Sequence, residues 1–546
     1  MKAYLVSTLA KHKLYYPSFF IPLHKTKRMR LFTLLFICGI SSLAQAQNQV
    51  PVITNLTASV SGGQVNITYN LSDVESNTCE VKLLISSNGG QTYISKAGTI
   101  TGDVGTSISP GNSKQITWNF DTVSNVYAYS LRLVADDRQV PSIQEIVDAV
   151  DSNRLRNDLQ YVQGIRHYTA NPVHLEEVKD TIEARFVEAG LNTRKQDFTK
   201  AGYLGQNVIG RKAGLGSEEK AYIIDAHFDS VDDAPGADDN GSGVVGVLEA
   251  LRVLAPYNFA KSIRFIGFDF EETVGIAGTE GSYRYTRTEL PAWETLEGVA
   301  NFEMIGYYTD EPNTQQVPTG FNVLFPAEYN AVAADSFRGN FLCNVGDEES
   351  AEFNHAFDSL SGVYVPALKK VSLTLLVNGV IAPDFRRSDH AWFWDLDIPA
   401  LLLTDGANFR NHDYHTPADT LGSLNFTFMS NIVKGTVATI ATLAGIQHSS
   451  FSDFDITPLS VPKNTLDCDV QLFPVPVKSS VSINTGSCFD GNFTLRLIDV
   501  QGREVLNKTI TSKAHTEVLA DKIPSGIYFA VLQNDKGSVV RKFVKE

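Results

Sequence analysis

Apolar residues change their period along the chain, and the change marks out three regions. From about residue 48 to 141 they alternate with polar ones, as in Val65-Asn66-Ile67-Thr68-Tyr69 and Tyr129-Ser130-Leu131-Arg132-Leu133-Val134. A period of two gives a strand one buried face. Ser61-Gly62-Gly63 and Asn88-Gly89-Gly90 supply the turns. From Ile143 the spacing lengthens: Leu155, Leu159, Val162 and Ile165 share one helical face, and Val178, Ile182 and Phe186 another. Up to about residue 447, such helical patterns alternate with short apolar runs at 222–224, 263–268, 299–305 and 399–403. A Ser/Thr/Pro-containing stretch, 448–465, reads as a linker. Alternation then returns at 493–500, 527–532 and 539–544, with turns at Gln501-Gly502 and Asp535-Lys536-Gly537.

These periods predict a multidomain protein. Short strands at regular spacing predict an immunoglobulin- or fibronectin-like β-sandwich over 48–141, with Trp118 in its core. Strands alternating with helices predict a central α/β domain over 142–447, its mixed, largely parallel sheet flanked by helices. Residues 466–546 are expected to form a second, small β-sandwich.

The N-terminus modifies this picture. Lys25, Lys27, Arg28 and Arg30 precede the apolar run 31–40, and Ala44-Gln45-Ala46 follows it. This is the layout of a secretory signal peptide, with Gln47 as the first mature residue. Its start stays open between Met1 and Met29, and the run is too short to span a membrane. Export removes Cys38 and leaves Cys79, Cys343, Cys468 and Cys488 where disulfides are permitted. Cys468 and Cys488 flank one hairpin region and are the expected pair. With 43% hydrophobic and 20% charged residues the chain is globular rather than disordered. Its formal net charge of −15 argues against a nucleic-acid partner.

The candidate chemistry gathers around residues 221–255. An apolar run, Tyr222-Ile223-Ile224, leads to His227-Phe228-Asp229; then come the loop Pro235-Gly236-Ala237-Asp238-Asp239-Asn240-Gly241-Ser242-Gly243 and a helical pattern. Open α/β sheets bind ligands at such strand ends. Three more runs end the same way: Asp269-Phe270-Glu271-Glu272, Asn301-Phe302-Glu303, and a loop carrying His412, Tyr414 and His415. Imidazole and carboxylate together suit zinc. Taken singly, each signal has an ordinary explanation: a hydrogen-bonded surface pair, a solvated acid doublet, a strand-edge charge. Their combination at successive strand ends is far more specific. Ser388-Asp389-His390 has the composition of a hydrolase triad, but three adjacent residues do not converge as a triad does.

The segments HFD, PGADDNGSG, FDFEE, NFEMIGY, SDHAWFWDLDIPAL and YHTPADT resemble the M28 family of zinc aminopeptidases over about residues 142–447. The resemblance implies two zinc ions bridged by Asp239, with His227 and Glu303 completing one site and Glu272 and His415 the other. It implies Glu271 as general base, Tyr414 as a helper for the oxyanion, and Asp229 as the group holding the His227 imidazole. Asp389 is expected near the site in a supporting role. Many relatives have Asp where this chain has Glu303. A cis peptide between Asp239 and Asn240 is also implied.

Leu472-Phe473-Pro474-Val475-Pro476, the 499–503 turn, Ser525-Gly526-Ile527-Tyr528 and the basic C-terminus resemble a type IX secretion sorting domain, with Pro-Val-Pro in place of the usual Pro-Asn-Pro. The expectation is an exported aminopeptidase, secreted or held at the cell surface. Its partners are peptide N-termini and the type IX machinery, and the mature chain has no transmembrane segment. The rivals are a one-zinc enzyme like glutaminyl cyclase and an inactive surface-binding protein.

Overall fold

The computed structural model describes residues 48–546 apart from 62, 97, 121–125, 127–128, 201, 273–280, 457–469, 486–488, 490–491, 500–503, 512–514, 520–522 and 535–536. The expected Cys468–Cys488 pair, the Gln501-Gly502 turn and the signal peptide lie outside the described residues.

Two four-stranded sheets form the N-terminal region. One runs in the order Val52–Ser61, Gln64–Ser72, Gly111–Asn119, Thr99–Gly102; the other runs Ser449–Asp455, Ser130–Asp136, Cys79–Ser86, Gly105–Ile108. Val65, Ile67, Tyr69 and Leu71 all point into one core with Trp118, Leu131 and Leu133. The expected linker is corrected here. Its residues Ser449–Asp455 pair antiparallel with Ser130–Asp136, so the chain returns to the N-terminal sheet after the central domain. Ile456 is buried in the same core. The strand escaped sequence reading because it is an edge strand of serines and aspartates, a composition that blunts an edge. Its apolar and acidic side chains are matched to Arg132, which forks onto Asp453 and covers the Phe451 ring.

The central domain holds an eight-stranded mixed sheet. Its order is Lys370–Leu375, Leu342–Asp347, Ala400–Thr404, Thr295–Phe302, Ser217–His227, Lys261–Phe268, Tyr203–Lys212, Asn192–Lys200. The four strands from Ala400–Thr404 to Lys261–Phe268 are consecutive and parallel. The Ser217–His227 strand is buried on both faces: Ile224 enters one core, with the helices Ser152–Val162, Pro172–Glu188, Gly243–Leu254 and Phe426–Leu443, and Ile223 enters the other. That explains why its apolar run is continuous rather than alternating. The helices begin where capping predicts: Asp151 accepts from Asn153 N–H, and Asn171 caps a helix that opens on Pro172.

The C-terminal region is β throughout. A three-stranded sheet (Gln471–Phe473, Ser480–Asn484, His515–Leu519) and a four-stranded one (Glu504–Ile510, Phe493–Asp499, Gly526–Gln533, Ser538–Lys545) share a core that includes Val481, Leu495 and Leu532. Among the described residues no helix is long and apolar enough to cross a membrane.

Candidate metal centre

Parallel strands end at the same edge of a sheet, and here four neighbours do so together. His227 pairs in register with Phe268, and Asp225 with Asn301. The chain beyond each strand therefore emerges beside the others. His227 is the last residue of its own strand; Glu271 and Glu272 follow Phe268 by three and four positions. Glu303 stands immediately after Thr295–Phe302 rather than inside the apolar run, because Met304 takes a left-handed conformation and turns the chain. His415 comes from the loop beyond Ala400–Thr404.

All five expected ligands converge. Asp239 lies between two histidines: Oδ1 is 3.5 Å from His227 Nε2, and Oδ2 is 3.1 Å from His415 Nε2. His227 Nε2 is also 3.2 Å from Glu303 Oε2, and His415 Nε2 is 3.0 Å from Glu272 Oε1. Three clusters result: His227/Asp239/Glu303, Asp239/Glu272/His415, and His227/Glu271/Glu272, which brings Glu271 to the same centre. The donor set fits zinc, since two ligands of one tetrahedral ion at about 2.0–2.1 Å lie roughly 3.3 Å apart. Asp239 Oδ1 is moreover buried with no hydrogen-bond partner among the described residues.

The electrostatics agree with a cation-binding role. Burial, then the neighbouring carboxylates, push Glu271 and Glu272 well above the usual carboxyl range. Burial opposes a charge on His227 too, but Glu303, Asp229 and Asp239 outweigh it and raise its pKa. The same histidines hold Asp239 well below its ordinary value against the effect of burial. Anionic oxygens gathered this closely in a dry site call for positive charge.

The supporting groups act mostly through backbone. Asp229 accepts from the backbone N–H groups of Glu271 and Glu272, both at 3.0 Å, and its Oδ1 lies 3.3 Å from His227 Nδ1. Asp419, fully buried, accepts from Asp238 N–H at 2.8 Å and Asp239 N–H at 3.1 Å. The Asp239–Asn240 peptide is cis. Asn240 then donates to Phe302 O and accepts from Met304 N–H, which ties the loop to the Glu303 turn. Arg166 is completely buried, and its guanidinium donates to six carbonyls, including Phe228, Pro235, Gly236 and, at 3.5 Å, Asp239. Gly236 is left-handed, and a Cβ there would lie 2.2 Å from Asp239 O and 2.8 Å from Arg166 Nη2, so only glycine fits.

Ser388, Asp389 and His390 diverge, as their adjacency predicts. Ser388 Oγ donates to Glu303 Oε2 at 2.8 Å. His390 hydrogen-bonds Phe385 O and Asn301, and burial pushes its pKa down to about 3. The Asp389 carboxylate is buried and makes no hydrogen bond of regular geometry among the described residues. Burial pushes it up to about 7 despite the nearby His227 and Ser282. Sequence reasoning missed Arg166, Asp419 as a clamp, and Ser388 as the partner of Glu303. It also missed Arg387, which donates to Tyr414 Oη. His167, His174, His355 and His412 belong to none of these clusters.

Beside Glu303 and Tyr414 opens a pocket lined by Val317, Phe321, Phe341, Leu373, Phe385 and Phe409 among others.

The model of peptidase family M28 matches residues 207–440, and that of a secretion system C-terminal sorting domain matches residues 471–546. The chain is 28% identical over 274 residues to the uncharacterized protein YfbL of Escherichia coli, a stretch covering 48% of this chain and 79% of that one. It is 32% identical over 157 residues to aminopeptidase YwaD of Bacillus subtilis, covering 28% of this chain and only 33% of that relative. Among solved structures it is similar to BSAP, a zinc aminopeptidase from Bacillus subtilis, with a TM-score of 0.33 and 23% identity over 44% of this chain and 51% of that one.

Proposed function

We propose that this chain, whose residues 207–440 match the model of peptidase family M28 and whose residues 471–546 match that of a secretion system C-terminal sorting domain, is an exported zinc aminopeptidase. It removes the first residue of peptides and proteins with a free N-terminus. The observation that carries the metal assignment is Asp239, with a histidine facing each of its carboxylate oxygens. His227, Asp239 and Glu303 would hold one zinc ion, and Asp239, Glu272 and His415 a second.

Bound zinc supplies Lewis-acid polarisation of the scissile carbonyl and a more acidic water. The protein groups do the rest. Glu271 belongs to neither ligand set; it takes a proton from the attacking water and delivers it to the leaving amine. Tyr414, lining the site beside Glu303, donates a hydrogen bond to the developing oxyanion. Asp229 holds the backbone of both acids and faces the His227 imidazole. Asp389 adds a buried carboxyl behind that histidine. The apolar pocket receives the first side chain, so leucyl and aromatic N-termini are the preferred substrates.

The residues on either side of this domain serve export and attachment. The signal-like N-terminus takes the chain through the inner membrane, and the sorting domain delivers it by the type IX machinery to the medium or the cell surface. The N-terminal sheets form the immunoglobulin-like module.

Metal analysis with a substrate panel tests this reading. Two zinc ions per chain, release of leucine or phenylalanine from aminoacyl anilides, and no attack on N-acetylated analogues are expected. One zinc with cyclisation of N-terminal glutamine would favour the cyclase alternative. Full zinc occupancy without turnover would leave only a binding role.

A further inference from the structure

Arg387 is an exposed cation that no ligand set accounts for, yet it faces the metal centre. Its Nη2 donates to Tyr414 Oη at 2.9 Å, and its Nη1 to Asn408 Oδ1 at 2.8 Å. The Tyr414 ring is stacked on His415, with centroids 3.7 Å apart and planes 17° from parallel. Arg387, Tyr414 and Glu303 line the same pocket.

We propose that Arg387 is a positioning residue that fixes the hydroxyl of Tyr414 and dictates where its proton points. The inference rests on the aminopeptidase reading above. A phenol has one O–H donor and acceptor lone pairs. Stacking on His415 sets the plane of the ring. The guanidinium occupies one lone pair, and it has no acceptor of its own. The phenolic proton is therefore directed away from Arg387 and stays free for the substrate oxygen. The positive charge also favours electron density on Oη as the proton is shared, which makes the hydroxyl a stronger donor. Asn408 accepts from the guanidinium on its other side, so Arg387 is held between two partners.

The test combines Arg387→Met, Arg387→Lys, Tyr414→Phe and the double variant Arg387→Met/Tyr414→Phe in the full-length zinc enzyme. Arg387→Met is expected to lower kcat by roughly 10–100-fold, the worth of one hydrogen bond to a charged group, with KM little changed. Arg387→Lys recovers part of this loss, because an ammonium does not hold Asn408 and Tyr414 in one plane. The double variant should be no slower than Tyr414→Phe alone. A second readout is the tyrosine ¹³Cζ spectrum, in which the Tyr414 resonance is identified by its loss in Tyr414→Phe; it should shift in Arg387→Met while the others stay. Additive losses in the double variant, a change in KM alone, or an unmoved resonance would each overturn the proposal. A wild-type protein that binds zinc but hydrolyses no free-amine peptide overturns the parent reading and with it the catalytic role of Arg387. The resonance then still reports whether the contact exists.

Discussion

Replacing Arg166 with methionine removes the one charge on which the loop from Phe228 to Asp239 is hung. The guanidinium is fully buried and makes five hydrogen bonds of 2.7–3.0 Å, to the carbonyls of Phe228, Val162, Gly164, Pro235 and Gly236. Burial pulls its pKa down to about 10, so it remains charged at neutral pH. Hydrogen bonds to a charged group contribute about 1.5–3 kcal/mol each, but five such values do not add here. Pro235 O keeps the Gly164 N–H and Gly236 O keeps the Gly241 N–H when the arginine is gone. Methionine also avoids the cost of burying a charge. The expected loss is therefore that of leaving buried carbonyls such as Gly164 O without their donor, about 1–3 kcal/mol for each one left unsatisfied. Urea unfolding of wild type and Arg166→Met, followed by circular dichroism, measures it. Because the loop carries Asp239, zinc retained after dialysis should fall as well. A loss below about 1 kcal/mol, with zinc unchanged, would refute the claim that Arg166 organises the loop.

Glu271→Gln should keep both zinc ions while turnover falls by roughly 10²–10⁴-fold, the contribution of a general base; Glu272→Gln should lose zinc, and metal content measured beside rate separates the two. A chain ending after Ile456 should retain full activity, whereas one ending before Ser449 should unfold at lower temperature, because the Ser130–Asp136 strand loses its neighbour; thermal melts of the two truncations check this. His390, held near a pKa of about 3 by burial, binds no proton where an unfolded histidine with a pKa of about 6.5 does. Stability should thus fall as pH drops from about 6.5 towards 3, by up to about 1.4 kcal/mol per unit, and His390→Gln should flatten the urea midpoint over that window.

How much of the fold was legible depended on where each element buries its side chains. Val65, Ile67, Tyr69 and Leu71 alternate because one face of their strand meets a core. Ile223 and Ile224 run together because both faces do. In each case the burial pattern is written directly in residue type. Ser449–Asp455 has little apolar surface to bury, and its place is fixed by backbone pairing and by Arg132, more than 300 positions away in the chain. No local period encodes such a partner, so the strand read as a linker.

The same distinction separates the metal-centre residues that were found from those that were not. His227, Asp239, Glu272, Glu303 and His415 present side-chain nitrogen and oxygen to one another, so their chemistry is visible in their identity. The groups that hold them largely present side chains to backbone. Arg166 is satisfied by carbonyls, and Asp419 by the N–H groups of Asp238 and Asp239. Every residue carries a carbonyl and nearly every residue an N–H, so such contacts leave no spacing signature. Asp229 shows both sides of this. Its closeness to His227 follows from a separation of two along the chain. Its clamp on the N–H groups of Glu271 and Glu272 follows only from the parallel pairing of two strands. The residues of the cluster could be read because their chemistry shows in their identity, whereas their supports had to wait for the topology that brings a distant backbone within reach.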